Sequence, residues 1–277
     1  MQLLHKLQLL YLKGCVSMNV WHMNGAGNDF AVIDARGGSY DFETLSKKLC
    51  KLLGADGFMA VDTSQIADFK LHFYNADGTR GEMCGNGSRC ICRFAYEHGI
   101  AGEEMAVQTD AGIVYGKRLS ESTYAVQLNN PGIVDLQRKA DCAYIELGTP
   151  GVPHAVKEVP NLDWAQKEAL RDMARALRYD PAFPKGANAN LYGWLDPQTI
   201  RILTYERGVE DYTLACGTGS ASTAVVLWLR GQLADGSVTV KNMGGDLRIT
   251  LEGKNGAVTR LMLEGPTEVT QVFEYEI

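Results

Sequence analysis

Cys84-Gly-Asn-Gly-Ser88 recurs, almost letter for letter, as Cys216-Gly-Thr-Gly-Ser220 half a chain further on. Each copy sets a cysteine before a small glycine-rich turn, and each turn runs into a stretch of helical character. Each therefore places a thiol at a helix N-terminus. Two such units in one chain predict two α/β halves of similar plan, each with many strands around one main helix. If the halves face each other, the thiols stand on opposite sides of one bound molecule.

Working outward, the elements fall into place around the two motifs. Asp41 caps a predicted helix with Leu45, Leu49, Leu52 and Leu53 on one side, stopped by Gly54. Phe69, Leu71 and Phe73 alternate with polar residues as a strand, and Asn75-Ala-Asp-Gly78 turns the chain toward Cys84. The helix after Cys84 runs through Ile91, Phe94 and Ala95 to Gly99. Tyr115 to Leu128 reads as a hairpin around Ser120-Glu-Ser. In the second half, strands over Ala143–Leu147 and Ala155–Val159 precede a helix carrying Trp164, Leu170, Met173, Ala174 and Leu177, stopped near Pro181. A strand Ile200–Tyr205 leads through Glu206-Arg-Gly to Cys216. Ala221–Leu229, nearly free of charge, predicts a helix buried on most sides. Val238–Lys241, Leu247–Leu251, Val258–Leu263 and Val269–Phe273 close the chain as strands, with a hinge near Asn129–Gly132.

The composition narrows the function. With 277 residues, 45% hydrophobic and 22% charged, the chain suits a globular enzyme with a sizeable core. The net charge is −6 and no basic run occurs, which argues against nucleic acid or an anionic membrane as partner. No apolar run is long enough to span a bilayer. Seven cysteines, an odd number without extracellular spacing, fit a reducing cytoplasm. Cys84, Cys90 and Cys92 match no zinc spacing, so no metal is expected, and Cys90 and Cys92 read as buried helix residues. Residues 1–17, rich in leucine, form an N-terminal extension without a cleavage site, and Met18 opens the organised sequence.

Paired thiols at helix starts suit one kind of chemistry. Removing the α-proton of an amino acid is hard without an electron sink such as pyridoxal phosphate. The cofactor-free alternative is a dry cage with a base on each face and donors around the carboxylate. A helix N-terminus favours the thiolate of its cysteine. One sulfur then takes the proton while the other returns one from the opposite face, and configuration inverts. The backbone N–H groups of Gly85, Asn86, Gly217 and Thr218 can hold the substrate carboxylate.

Several further motifs occur in order: His22-Met-Asn-Gly-Ala-Gly-Asn-Asp-Phe30, Gly54-Ala-Asp-Gly57, Asn75-Ala-Asp-Gly78, Pro153-His154, Asn188 and Tyr205-Glu-Arg-Gly208. With the cysteine pair, they make the chain from Met18 to Ile277 resemble the diaminopimelate epimerases. That resemblance implies an α+β fold of two pseudo-symmetric domains, each a strongly curved, mostly antiparallel sheet around a central helix, with the active site in the cleft between them. The expected domains are 18–130 plus 265–277, and 131–264. It implies epimerisation of LL- and meso-diaminopimelate without a cofactor, in lysine and peptidoglycan precursor synthesis, by a cytoplasmic homodimer. Cys84 and Cys216 are then the acid/base pair, and Asn28 contacts substrate near the reacting centre. Asn75, Asn188 and Arg207 read the distant amino acid group, while His154 and Glu206 bias the protonation of the thiols.

Two positions depart from the family pattern. Val152 stands where the family often has asparagine before Pro-His, and Gly57 where some members carry glutamine. The same scaffold also fits a cofactor-independent racemase of another amino acid. A non-catalytic amino acid-binding protein would explain the glycine turns and Arg207 but not two thiols. Phenazine-type isomerases share the broad fold but lack the cysteine pair.

Overall fold

A computed structural model describes residues 17–81 and 84–276. The expected N-terminal extension lies outside the described residues, except for Ser17, which starts the first strand. The first run of elements is β1 (Ser17–Gly25), β2 (Asn28–Asp34), α1 (Phe42–Leu53), β3 (Gly57–Asp62), β4 (Phe69–Asn75), α2 (Gly85–Glu97), β5 (Glu104–Thr109), β6 (Gly112–Arg118) and β7 (Thr123–Gln127). The second run is β8 (Pro131–Lys139), β9 (Cys142–Gly148), β10 (Gly151–Glu158), α3 (Arg171–Arg178), β11 (Asn188–Asp196), β12 (Thr199–Glu206), the short β13 (Asp211–Tyr212), α4 (Gly217–Leu229), β14 (Ser237–Asn242), β15 (Gly245–Lys254) and β16 (Ala257–Pro266). Last, β17 (Glu268–Glu276) returns to pair with β1.

The pairing pattern repeats step for step. In the first run β1–β2 is antiparallel, β2–β3 parallel, β3–β4 antiparallel, β4–β5 parallel, and β5–β6 and β6–β7 antiparallel. In the second, β9–β10, β10–β11, β11–β12, β12–β14, β14–β15 and β15–β16 follow the same sequence of directions. A parallel pair needs a crossover, and each of the four has its helix, α1 to α4 in turn. The two halves join where β7 and β16 pair antiparallel, with Val126 opposite Leu263. The mixed, mostly antiparallel sheet therefore curves around two helices. α2 packs against β1, β2, β3, β6, β7 and β16, and α4 against β9, β10, β11, β14, β15 and β16.

Local chemistry sets the ends of these elements. Asp41 accepts from the Thr44 amide at 3.1 Å to start α1, and left-handed Gly54 (φ 66°) ends it. Throughout α4, Ser220 to Leu227 are buried, the all-round burial that its uncharged composition predicts. The single helix expected from Trp164 to Leu177 is broken in two. Trp164–Gln166 is one 3-10 turn closed by a capping box at Asp163, and α3 begins only at Arg171. The cause is Trp164, whose indole N–H donates to Ile202 O of β12 at 3.1 Å and so ties that turn to the sheet. Met173, expected on the apolar face, is exposed.

One leucine lies beneath both central helices. A Cβ built on Gly85 would stand 2.8 Å from Leu263 Cδ2, and one built on Gly217 would stand 2.7 Å from the same atom. The two helix starts thus approach over one methyl group of β16, and only glycine leaves room for it. Leu263→Ala should lower stability by about 2–5 kcal/mol, since the side chain is fully buried. Urea unfolding measures this. A loss well under about 1 kcal/mol would show that the helix starts do not depend on that contact.

Candidate active site

Between the helix starts lies an open cleft of about 670 Å³. Cys84 is the N-cap of α2 and Cys216 the N-cap of α4, and both line it. Gly85, Asn86, Gly217 and Thr218 follow them into the same wall. Asn28 and Asn75 enter from the first half, and Asn188, Glu206 and Arg207 from the second. Of the residues singled out in the sequence, only His154 does not line the cleft; it is fully buried behind it.

Each side chain is placed by its own local structure. Asn28 follows the tight β1–β2 turn at Ala26 (φ 56°) and Gly27 (φ 90°), a pair of left-handed residues suited to a two-residue hairpin. Its amide donates to Asp56 Oδ2 at 3.2 Å and accepts from Asn86 Nδ2 at 2.6 Å. Asn86 Nδ2 also reaches Ala215 O at 3.4 Å, next to Cys216, so one amide ties the two halves together. Asn75 caps its turn by donating to Thr79 Oγ1 at 2.9 Å. Asn188 Oδ1 accepts from the Arg207 amide at 2.8 Å, and Arg207 Nη1 donates to Lys185 O at 3.0 Å. Among the described residues no carboxylate forms an ion pair with the Arg207 guanidinium, which is left to meet an anion in the cleft.

Helix starts alone do not hold the thiols low. Burial pushes Cys84 above the ordinary thiol range, against the amides of Gly87 and Asn86 and the charge of Arg89, which pull it down. Burial, reinforced by Glu206, pushes Cys216 up to about 12, although Thr218 and the Gly219 amide, donating at 3.3 Å, oppose it. Burial also raises the Glu206 carboxyl. At both thiols, removal from water outweighs the helix ends. A zwitterionic substrate, whose ammonium group brings positive charge, is what would shift the balance toward a thiolate.

His154 sits one layer behind. Asn190, fully buried, places its Nδ2 3.1 Å from Ala155 O, Asn188 O and His154 Nδ1, while Thr204 Oγ1 donates to its Oδ1 at 3.0 Å. Two carbonyls beside that nitrogen assign it as the donor, so Nδ1 accepts and the ring proton lies on Nε2. Asn190 Oδ1 would stand 2.3 Å from a Cβ at Gly219, the residue whose amide bonds Cys216. The amide that bonds His154 thus packs closely against Gly219, the residue after Thr218 in the wall of Cys216.

Sequence reasoning missed Asn190, Asp56, Arg89 and the apolar wall of Phe30 and Phe73. Asp56 lay inside a quoted motif, Gly54-Ala-Asp-Gly57, without a role. At Gly57 a Cβ would stand 2.7 Å from the Phe73 ring, so the side chain that some relatives carry there has no space here. Val152, 40% exposed, lines the cleft.

The sequence pattern of diaminopimelate epimerase matches residues 20–130 and 148–269. The chain belongs to the diaminopimelate epimerase family. It is 36% identical over 249 residues to a diaminopimelate epimerase from Aquifex aeolicus, covering 83% of this chain and 88% of the relative. Over 290 residues it is 36% identical to one from Hydrogenobaculum, covering 94% and 100%. Among solved structures it is similar to a PhzF-family phenazine biosynthesis protein from Bacillus anthracis, with TM-score 0.69 at 14% identity over 95% of this chain and all of that one. A hydroxyproline epimerase from Agrobacterium vitis gives TM-score 0.64 at 14% identity over 94% and 91%. At such low identity these two structures speak for the fold alone, a pseudo-symmetric two-domain one.

Burial and the Arg207 charge hold His154 down at about 3, far below its ordinary 6.5. It therefore favours the folded state above pH 6.5 and loses that contribution as pH falls from 6.5 toward 3. His154→Gln should flatten the fall of stability across that window by close to one proton relative to the unaltered protein. Denaturant titrations at graded pH measure it; parallel curves would show that the histidine is not held neutral.

Proposed function

We propose that this protein epimerises diaminopimelate at Cα, interconverting the LL and meso forms with two cysteines and no cofactor, in lysine and peptidoglycan precursor synthesis. The observation that carries the proposal is that both thiols, each at the start of a central helix, line one cleft. Family membership supplies the substrate.

The chemistry follows from the wall. One sulfur, as thiolate, takes the Cα proton: an S–H bond forms, the C–H bond breaks, and its electron pair moves toward the carboxylate. The amides of Gly85, Asn86, Gly217 and Thr218 at the two helix starts stabilise that charge. The other thiol then gives its proton to the opposite face and becomes the thiolate. Cys84 and Cys216 are the acid/base pair in this reading. Asn28 meets the reacting amino acid, Asn75 and Asn188 hold the distant one, and Arg207 grips its carboxylate through two parallel N–H bonds. Glu206 lies against Cys216 and bears on its protonation, as does His154 through Asn190.

The domains in this reading are 18–130 with 265–277, and 131–264, so the boundary falls inside β16 at the seam. The six cysteines described are free thiols, which supports a cytoplasmic setting. We take the working form to be a homodimer, and sedimentation equilibrium tests it.

In deuterium oxide, LL-diaminopimelate should gain solvent deuterium at Cα as the meso form appears. Cys84→Ser and Cys216→Ser should each slow exchange by roughly 10²–10⁴-fold. Exchange that survives both replacements would remove the thiols from the mechanism.

Val152 supports a second reading, a racemase of a different amino acid on the same scaffold, because an apolar side chain lines the cleft where relatives present an amide. Val152→Asn adds one polar contact to a charged group and should lower KM for diaminopimelate by roughly tenfold, with kcat little changed. Slow turnover of diaminopimelate beside rapid racemisation of another amino acid would favour the second reading.

A further inference from the structure

Among the largest fully buried side chains of the described residues, one carries a positive charge. Arg89, in α2, is 0% exposed. Its Nη1 donates to Asn86 Oδ1 at 3.1 Å and reaches Gly85 O at 3.5 Å. Among the described residues its Nε and Nη2 have no partner; burial pulls the guanidinium below its ordinary range, and Cys90, Cys84 and Cys92 act against that. The fold clears space for it: a Cβ at Gly265 of β16 would stand 3.1 Å from both Arg89 Cζ and Nε. A buried guanidinium without a carboxylate is costly. It is tolerable where negative charge forms beside it, and Cys84 is where the reaction forms one.

We propose that Arg89 is a positioning residue of the two-thiol reaction: it orients the Asn86 amide toward Asn28 and supplies the fixed charge beside which Cys84, rather than Cys216, ionises first. This rests on the reading of the cysteine pair given above. With Asn86 Oδ1 taken by Arg89, Nδ2 is left to bond Asn28 Oδ1 at 2.6 Å and Ala215 O at 3.4 Å. The duplication makes the asymmetry plain. Five residues after Cys84 stands Arg89; five residues after Cys216 stands Ala221, buried and uncharged.

The groups facing each sulfur differ accordingly. On Cys84, the amides of Gly87 and Asn86 and the charge of Arg89 work against burial, and Glu206 from the end of β12 works with it. On Cys216, Glu206 and Cys84 both work with burial, opposed only by the Thr218 hydroxyl and the Gly219 amide. Arg93 on α2 and Asp29 on β2 act on Cys90 and not among the main influences on Cys84. Arg89 thus bears on Cys84 and is not among the main influences on Cys216, while Glu206 bears on both sulfurs.

Alkylation by iodoacetamide reads the order directly, with each cysteine followed by peptide mass spectrometry from about pH 6 to about pH 11. The Cys84 midpoint should fall inside this range, at least about one pH unit below that of Cys216, whose thiol burial pushes up to about 12 so that it stays largely unalkylated there; a Cys84 with no midpoint in the range counts as coincident. Differences in access scale a rate equally at every pH and leave the midpoint in place. Coincident midpoints, or Cys216 first, would overturn the proposal. Arg89→Met should raise the Cys84 midpoint by at least about one unit, and Arg89→Lys should keep it within about half a unit of the unaltered protein while raising KM through the weakened Asn86 contact. An unmoved midpoint in Arg89→Met would sink the charge role. Should that variant fail to fold, the unaltered protein and Arg89→Lys decide the matter. The midpoints need no turnover, so a protein inactive on diaminopimelate but with the ordered midpoints would fail the substrate assignment and not this one.

Discussion

The bare Cα atoms of Gly85 and Gly217, resting on one methyl of Leu263, are the constraint on which the site depends. Helix N-termini carry partial positive charge and unpaired N–H groups, and two of them brought together repel. Here they are held together because each lacks a side chain at the contact and because β16 packs against both helices. An alanine would meet Leu263 at 2.8 Å from position 85 and at 2.7 Å from position 217. The energy that forces the helix ends together comes from the buried seam of β7 and β16 beneath them. What that seam stabilises is a place for a carboxylate, since an anion between two helix starts satisfies both.

The charge state of the cleft follows from the same burial. Cys84, Cys216 and Glu206 are all shifted toward their neutral forms, and His154 behind them is held neutral as well. Against these stand two guanidinium groups: Arg207, exposed at the mouth, and Arg89, buried beneath α2. Among the described residues neither guanidinium has a carboxylate partner, so each is left short of negative charge. A dicarboxylate amino acid supplies it at both ends, and the first thiolate supplies it at the centre. Neutral resting thiols are not a defect in such a site, because a thiolate formed only once substrate excludes water is also less exposed to oxidation.

Much of this was legible because the decisive features are local. A cysteine before Gly-x-Gly announces a helix N-cap, and the strands Phe69–Phe73, Ile200–Tyr205 and Val258–Leu263 alternate or run apolar as strands do. The cleft residues Asn28, Asn75, Asn188 and Arg207 lie in motifs whose order is visible without a fold. Features that depend on tertiary packing were not legible. Trp164 has the right spacing for a helix but binds a strand carbonyl, so the helix breaks. His154 looks like a site residue, yet the strands around β10 bury it. Arg89 falls in a helix beside Cys90 and Ile91, and nothing in its neighbours says that an arginine there points inward. The signal was Gly265, a glycine inside a strand, which marks close approach of something large.

A duplicated fold supplies two equivalent thiols, but reversible inversion needs them to be inequivalent at every instant. If both ionised, two negative sulfurs would repel across the cleft; if neither did, no base would exist. The symmetric strand order cannot break that tie, because it treats both helix starts alike. Single residues break it. Arg89 has no charged counterpart in α4, and its charge is among the influences on Cys84 but not among the main ones on Cys216. On the proposed mechanism, each turnover moves the thiolate from one helix start to the other, and the charge on Arg89 in α2 favours its return. In the proposed reaction, symmetry in the backbone sets one thiol toward each face of the substrate carbon, and asymmetry in one buried charge sets which thiol ionises first.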